Sequence, residues 1–163
     1  MNTIYFAGPD VFRPHYHEIA GHIKDLCLKS RIRPLLPGDV ELASSQDIFQ
    51  HNLNLIRQAE VVIANLNPFR SPVEPDSGTV YECGFAFALN KAVFGFLKDN
   101  SDLKGKLAGS GIELDRQGLC PGGWLVEDFG LPLNLMLAHS LKAVCESLEE
   151  AVEKAVEYFH KNK

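Results

Sequence analysis

Several features that would place this chain in a large class of proteins are missing from it. No stretch of its 163 residues approaches the roughly 18 apolar residues of a membrane span. The opening MNTIYFAGPD lacks the basic-then-apolar layout of a signal peptide, so a cytosolic location is expected. Basic residues are in the minority, 16 Lys and Arg against 21 Asp and Glu, for a formal charge of −5. A chain without a basic excess is poorly suited to phosphate backbones or anionic membranes, and neither nucleic acid nor membrane is an expected partner. Cysteine is sparse: Cys27, Cys83, Cys120 and Cys145 lie far apart, with no C-x-x-C pair and no His at ligand spacing. Buried, reduced thiols are expected in place of a disulfide frame or a metal site. Gly8-Pro9-Asp10 does not make a G-x-G-x-x-G loop, and G-x-x-x-x-G-K-[ST] occurs nowhere, so no di- or triphosphate site and no cofactor are expected. Internal repeats and low-complexity segments are absent as well.

What is present is enough apolar material, 45% of residues, for one buried core in one domain spanning 1–163. Thr3 to Ala7 reads as a strand that stops at Gly8-Pro9. Ile19, Ile23, Leu26 and Cys27 repeat at helical spacing within Pro14 to Lys29, where Pro14 suits a first turn. A short strand over 31–36 and a helix over 44–59 follow, the helix with Ile48, Phe49, Leu53 and Ile56 along one side. Val61-Val62-Ile63-Ala64 is a β-branched run of the kind covered on both faces of a parallel sheet. A proline-rich loop leads into a helix over 77–90, a strand over 92–97, and a Gly- and Lys-rich surface excursion from 98 to 123. The apolar segment 131–137, a strand over 141–145 and an amphipathic helix over 147–161 complete the chain. Strands alternating with helices predict an α/β, Rossmann-like three-layer fold with a mainly parallel sheet of about five strands. Chemistry is then expected beyond the carboxyl ends of the strands, in the loops after Ala7, Ala64 and Leu97.

The segment Glu74 to Asn90 is the most informative. Asp76 sits where its carboxylate can accept first-turn amides, with Gly78 in the turn that feeds the helix. Glu82 lies among Val80, Cys83, Phe85, Ala86, Phe87 and Leu89, surroundings in which a carboxylate is costly to bury unless it meets a partner or a ligand. Tyr5 puts a phenol at the end of the first strand, followed by Gly8 and Phe12. Phe12 and Phe69 are loop aromatics able to sandwich a base or to lie as a lid over the core. Asn134 is an isolated amide in an apolar run that ends Leu135-Met136-Leu137, and it either caps an element or reaches a ligand or partner chain. His15, His17 and His22 near Glu18, and the series Glu146, Glu149, Glu150, Glu153 and Lys154, read as solvated helix faces.

Four of these pieces, in order, resemble the nucleoside 2'-deoxyribosyltransferases across nearly the whole chain. They are Ile4 to Pro9; Asn52-Leu53-Asn54-Leu55-Ile56 ahead of Ala59 to Leu66; the Asp76-to-Glu82 spacing with Gly84 and Ala88 behind it; and Leu133-Asn134-Leu135-Met136. The resemblance implies a flavodoxin-like sheet, Glu82 as nucleophile, Tyr5 as the phenol that orients it, and Asp76 as the carboxylate that holds the sugar 5'-hydroxyl. It also implies that Asn134, with Met136 beside it, reaches that hydroxyl from a neighbouring subunit, which makes a homo-oligomer an expected partner. Gly8, Phe12, Asp47, Asn52, Phe69 and Gly78 are the remaining expected substrate contacts. Many members carry Asp where this chain has Asn52, and that Asp is their proton donor to the leaving base. An amide cannot deliver a proton in that way, which leaves Asp47, a water, or an Asn52 that only reads the base edge.

The implied reaction takes 2'-deoxynucleosides and free nucleobases as substrates and runs as a retaining, ping-pong double displacement through a glycosyl ester on Glu82. Two rivals are a hydrolase of 2'-deoxynucleoside 5'-monophosphates and a non-catalytic nucleoside-binding domain. Asp76 opposes the first, because a carboxylate at the 5' position repels a phosphate dianion.

Overall fold

β3, Val61–Asn65, is buried at every residue, as a strand covered on both faces must be. In the computed structural model, which describes residues 1–162, it is the middle strand of a five-stranded, wholly parallel sheet. The others are β1 (Asn2–Ala7), β2 (Ile32–Leu35), β4 (Ala92–Phe96) and β5 (Ala143–Cys145), in the order β2-β1-β3-β4-β5. The β1–β3 register sets Tyr5 against Val62 and Ala7 against Ala64, so both strands end together at one edge.

Successive side chains of a strand point to opposite faces, and this period of two divides the core. Ile4 and Phe6 of β1, with Val61 and Ile63 of β3, pack under α1 (Tyr16–Lys29) and α6 (Leu148–Lys161). Tyr5, Ala7, Val62 and Ala64 pack instead under α2 (Ser45–Gln58), α3 (Ser77–Ala88) and α5 (Leu135–Ser140). Each covering helix brings a narrow buried stripe, such as Leu53 and Ile56 of α2 or Thr79, Cys83 and Ala86 of α3. The three-layer α/β fold expected from the alternation of elements is the fold observed.

Several boundaries move. α1 begins at Tyr16, two residues beyond Pro14, because Pro9–Phe12 forms a 3-10 turn first. α3 ends at Ala88, and Asn90 leaves in the left-handed region at φ 58°. The segment 131–137 is partly helical, since α5 starts behind Asn134. The stretch 98–123 is more than a surface excursion. It carries α4 (Leu103–Gly109), whose Leu103 and Lys106 are buried. Only two inward residues mark that short helix, too few to establish a period in the sequence.

Cys27, Cys83 and Cys145 are buried free thiols, while Cys120, expected to be buried with them, is only half-buried; burial pushes the Cys27 and Cys83 thiols up to about 12. Among the described residues, no helix is long and apolar enough to cross a membrane.

Candidate active site

Tyr5 reaches the side of the sheet covered by α2, α3 and α5 because the pleat points it there, and it is fully buried. On α3, Glu82 falls three residues after Thr79 and four before Ala86, on the margin of the stripe that faces the sheet. The two meet: the Tyr5 hydroxyl donates to Glu82 Oε1 at 2.7 Å. Asn52, next to the buried Leu53 on α2, donates from Nδ2 to the same oxygen at 3.3 Å. One carboxylate oxygen therefore holds both donors, and Oε2 has no hydrogen-bond partner among the described residues. No cation pairs with Glu82 among the described residues either.

Burial pushes the Glu82 carboxyl up to about 7. The Tyr5 hydrogen bond opposes the rise, the nearby Asp76 charge adds to it, and the Asn52 hydrogen bond opposes it again. Burial and the Glu82 charge together hold the Tyr5 phenol well above its usual range, so it remains a donor.

Asp76 caps α3: its Oδ2 accepts from the Thr79 amide at 2.8 Å and from the Thr79 hydroxyl at 2.9 Å. Gly78 lies under that cap, where an added Cβ would stand 3.1 Å from Asp76 Oδ2. Gly8 lets the loop after β1 lie against β3, since an added Cβ there would meet the Asn65 Cβ at 2.9 Å. Asn65 in turn donates to Asp10 Oδ2 at 2.8 Å, tying that loop to the sheet.

Phe12 and Phe69 do meet, but as neighbours in a closed stack, with centroids 5.4 Å apart and planes 19° apart. A base between them needs about 7 Å, two aromatic contact distances, so the sandwich form of the expectation does not fit this arrangement. Arg70, which the sequence pattern did not single out, covers the stack at 4.5 Å from the Phe69 centroid and 5.3 Å from that of Phe12.

Asp47 is exposed in the first turn of α2, and its carboxylate accepts the Ser44 hydroxyl at 2.6 Å while Ser44 Oγ accepts the Asp47 amide. It makes no hydrogen bond with Tyr5 or Glu82. Asn52 Oδ1 is buried and without a hydrogen-bond partner. Asn134 and Met136 stand on the exposed side of the α5 corner, with Met136 74% exposed. Asn134 does cap an element, accepting the Met136 amide at 3.0 Å, and its Nδ2 donates to Glu127 at 2.5 Å. Glu127 was not readable as a site residue, because it sits in a Gly-rich loop with no periodicity around it.

Comparisons with known proteins show what the chain as a whole is similar to. A family model described as nucleoside 2-deoxyribosyltransferase matches residues 4–136. A 2-deoxyribosyltransferase from Leishmania mexicana is 36% identical, with 97% of this chain and 99% of that one covered and a TM-score of 0.82. The 2-deoxyribosyltransferase of Bacillus psychrosaccharolyticus shares the fold at 20% identity, covering 93% of this chain and 90% of its own, with a TM-score of 0.57. An uncharacterised protein of Schizosaccharomyces pombe is 30% identical over 105 residues, which is 59% of this chain. The match spans 50% of that relative's length.

Proposed function

This chain belongs to the nucleoside 2-deoxyribosyltransferase family, and on that footing we propose that it moves a 2'-deoxyribosyl group between nucleobases, with Glu82 as the nucleophile. The observation that carries the reading is the asymmetry of the Glu82 carboxylate. Tyr5 and Asn52 both donate to Oε1, which orients the group and leaves the Oε2 lone pairs for attack.

In the first half-reaction Oε2 bonds to C1' as the C1'–N bond breaks, and the electron pair stays on the departing base, which takes up a proton. Positive charge building on C1' is met by the ionised carboxylate. In the second half-reaction a ring nitrogen of another base bonds to C1' and gives up its proton to water, the C1'–O bond breaks and the carboxylate is regenerated. Two inversions give net retention. Asp47 is committed to the start of α2 and Asn52 is an amide, so this reading assigns the base's proton to a water. The unpartnered Oδ1 of Asn52 supports the view that it reads the base edge.

Asp76 is assigned to the sugar 5'-hydroxyl, and Asn134 to the same hydroxyl in a neighbouring subunit of a homo-oligomer. Support for a neighbour is an apolar groove of about 520 Å³ between α3 and α5, beside Asn134. Val80, Phe87, Leu135 and Met136 line it, and Phe87 and Met136 are 56% and 74% exposed, so two large apolar side chains stand open at one groove. A second copy of this chain is the occupant proposed for it.

The test is an exchange assay. Incubating thymidine or 2'-deoxyinosine with adenine should yield 2'-deoxyadenosine, and Glu82→Ala should abolish it. Release of free deoxyribose with no exchange product for any pair would favour a hydrolase. Unchanged ligand affinity in Glu82→Ala, with no exchange by the native protein, would favour a binding domain.

A further inference from the structure

A Gly-rich segment running from Lys98 to Pro132 has little means of holding itself in place. In this fold it is fastened to itself through the first turn of its own helix, α4. The Leu103 amide donates to the Leu131 carbonyl at 3.1 Å, Lys104 Nζ donates to Asp128 Oδ2 at 2.6 Å, and Lys106 Nζ donates to the Pro132 carbonyl at 2.5 Å. Lys106 is 5% exposed, an unusual position for an ammonium group, and its partner is the backbone two residues before Asn134. The segment thus buttresses the corner that carries Asn134.

Glu127 sits at the centre of that corner. Its Oε1 accepts from Asn134 Nδ2 at 2.5 Å, and its Oε2 accepts from the Leu135 amide at 2.9 Å. Asn134 Oδ1 is held from the other side by the Met136 amide at 3.0 Å. An ionised carboxylate only accepts and a backbone N–H only donates, so the two partners admit one orientation of the amide. Reversing it would set oxygen against carboxylate and NH2 against N–H. The remaining N–H of Asn134 and the second lone pair of Oδ1 are left for a ligand.

We infer that Glu127 is a positioning residue that locks the Asn134 amide in the orientation needed to meet the sugar 5'-hydroxyl in a neighbouring subunit's site. This inference rests on the shared-site reading above. Because the two carboxylate oxygens serve two different donors, a glutamine at 127 can satisfy only one of them and turns its NH2 toward the other.

The experiment measures kcat/KM for two donors, 2'-deoxyadenosine and 2',5'-dideoxyadenosine, with hypoxanthine as acceptor. Glu127→Gln should lower kcat/KM for 2'-deoxyadenosine about tenfold, the scale of one hydrogen bond to a charged group. The value for the donor without a 5'-hydroxyl should stay within about twofold, because the lost contact is one that donor never makes. Equal losses on both donors, or no loss on either, overturn the inference. If Glu127→Gln does not fold, Glu127→Asp, which keeps the charge but withdraws it by one methylene, is read by the same ratio. Asn134→Ala separates the two layers of the argument. If Asn134→Ala distinguishes the donors and Glu127→Gln does not, only the role of Glu127 falls; if Asn134→Ala treats both donors alike, the shared-site reading falls and this inference with it.

Discussion

At the scale of the residue, Glu82 is a carboxyl pulled in two directions. Burial and the Asp76 charge favour its neutral form, while the Tyr5 and Asn52 hydrogen bonds favour the anion, and it titrates at about 7. A nucleophile must be ionised, so the rate of deoxyribosyl transfer should rise with pH through about 7 and level off above it. A rate that is flat from pH 5 to 8 would remove Glu82 from that role. The same shift has a consequence for stability. The folded value lies above the ordinary 4.5, so the group's contribution is intact below pH 4.5 and is lost as pH rises through about 7. Glu82→Gln carries no such loss. It should be more stable than the native protein by about 1–3 kcal/mol at pH 8 and no more stable at pH 4, as read by denaturant melts at the two pH values. Glu82 itself could be singled out in the sequence because a carboxylate in so apolar a helix needs a reason. Its partners were not legible from local pattern, since Tyr5 and Asn52 lie 77 and 30 residues away along the chain; Tyr5 was expected beside it only through the family resemblance, and Asn52 was expected to meet the substrate and not Glu82.

At the scale of the element, the helices and strands whose periods run for several residues were legible. α1, α2 and α6 each show a stripe that only a helix brings to one side, and β3 and β4 are short continuous apolar runs. α4 and α5, with seven and six residues, are too short to show a period, and their positions are set by tertiary hydrogen bonds to 131–135 and Glu127. β4 carries a constraint that its composition hides. An added Cβ at Gly95 would stand 2.5 Å from Leu66 Cδ1 and 3.0 Å from Leu141 Cδ1, so this strand accepts its neighbours only where a side chain is absent. Gly95→Ala should cost about 1–3 kcal/mol by overpacking and lower Tm by several degrees, measured by thermal unfolding. A variant that melts with the native protein would mean that Leu66 and Leu141 move aside freely.

At the scale of the whole molecule, the proposed site spans two chains: Glu82 from one and Asn134 from its neighbour. In a symmetric dimer this predicts complementation. Glu82→Ala and Asn134→Ala chains, each strongly impaired alone, should regain activity when unfolded and refolded together. At equal amounts about half the dimers are mixed and each has one intact site, giving about a quarter of native activity. Activity no greater than the sum of the two separate variants would place both residues in one chain's site. The exposed Met136 and Phe87 beside Asn134 are the surface through which such pairing would occur.

The sequence by itself determined the alternation of strands and helices, the parallel sheet and the identity of a carboxylate that burial would perturb, because these follow from local periodicity and from the cost of desolvating a charge. Tertiary structure alone decided that Tyr5 and Asn52 share a single oxygen of Glu82, that Phe12 closes on Phe69, and that Glu127 holds Asn134. Each of those is a contact between side chains brought together by the pairing of strands and the packing of helices or loops. No spacing along one segment encodes the distance between two.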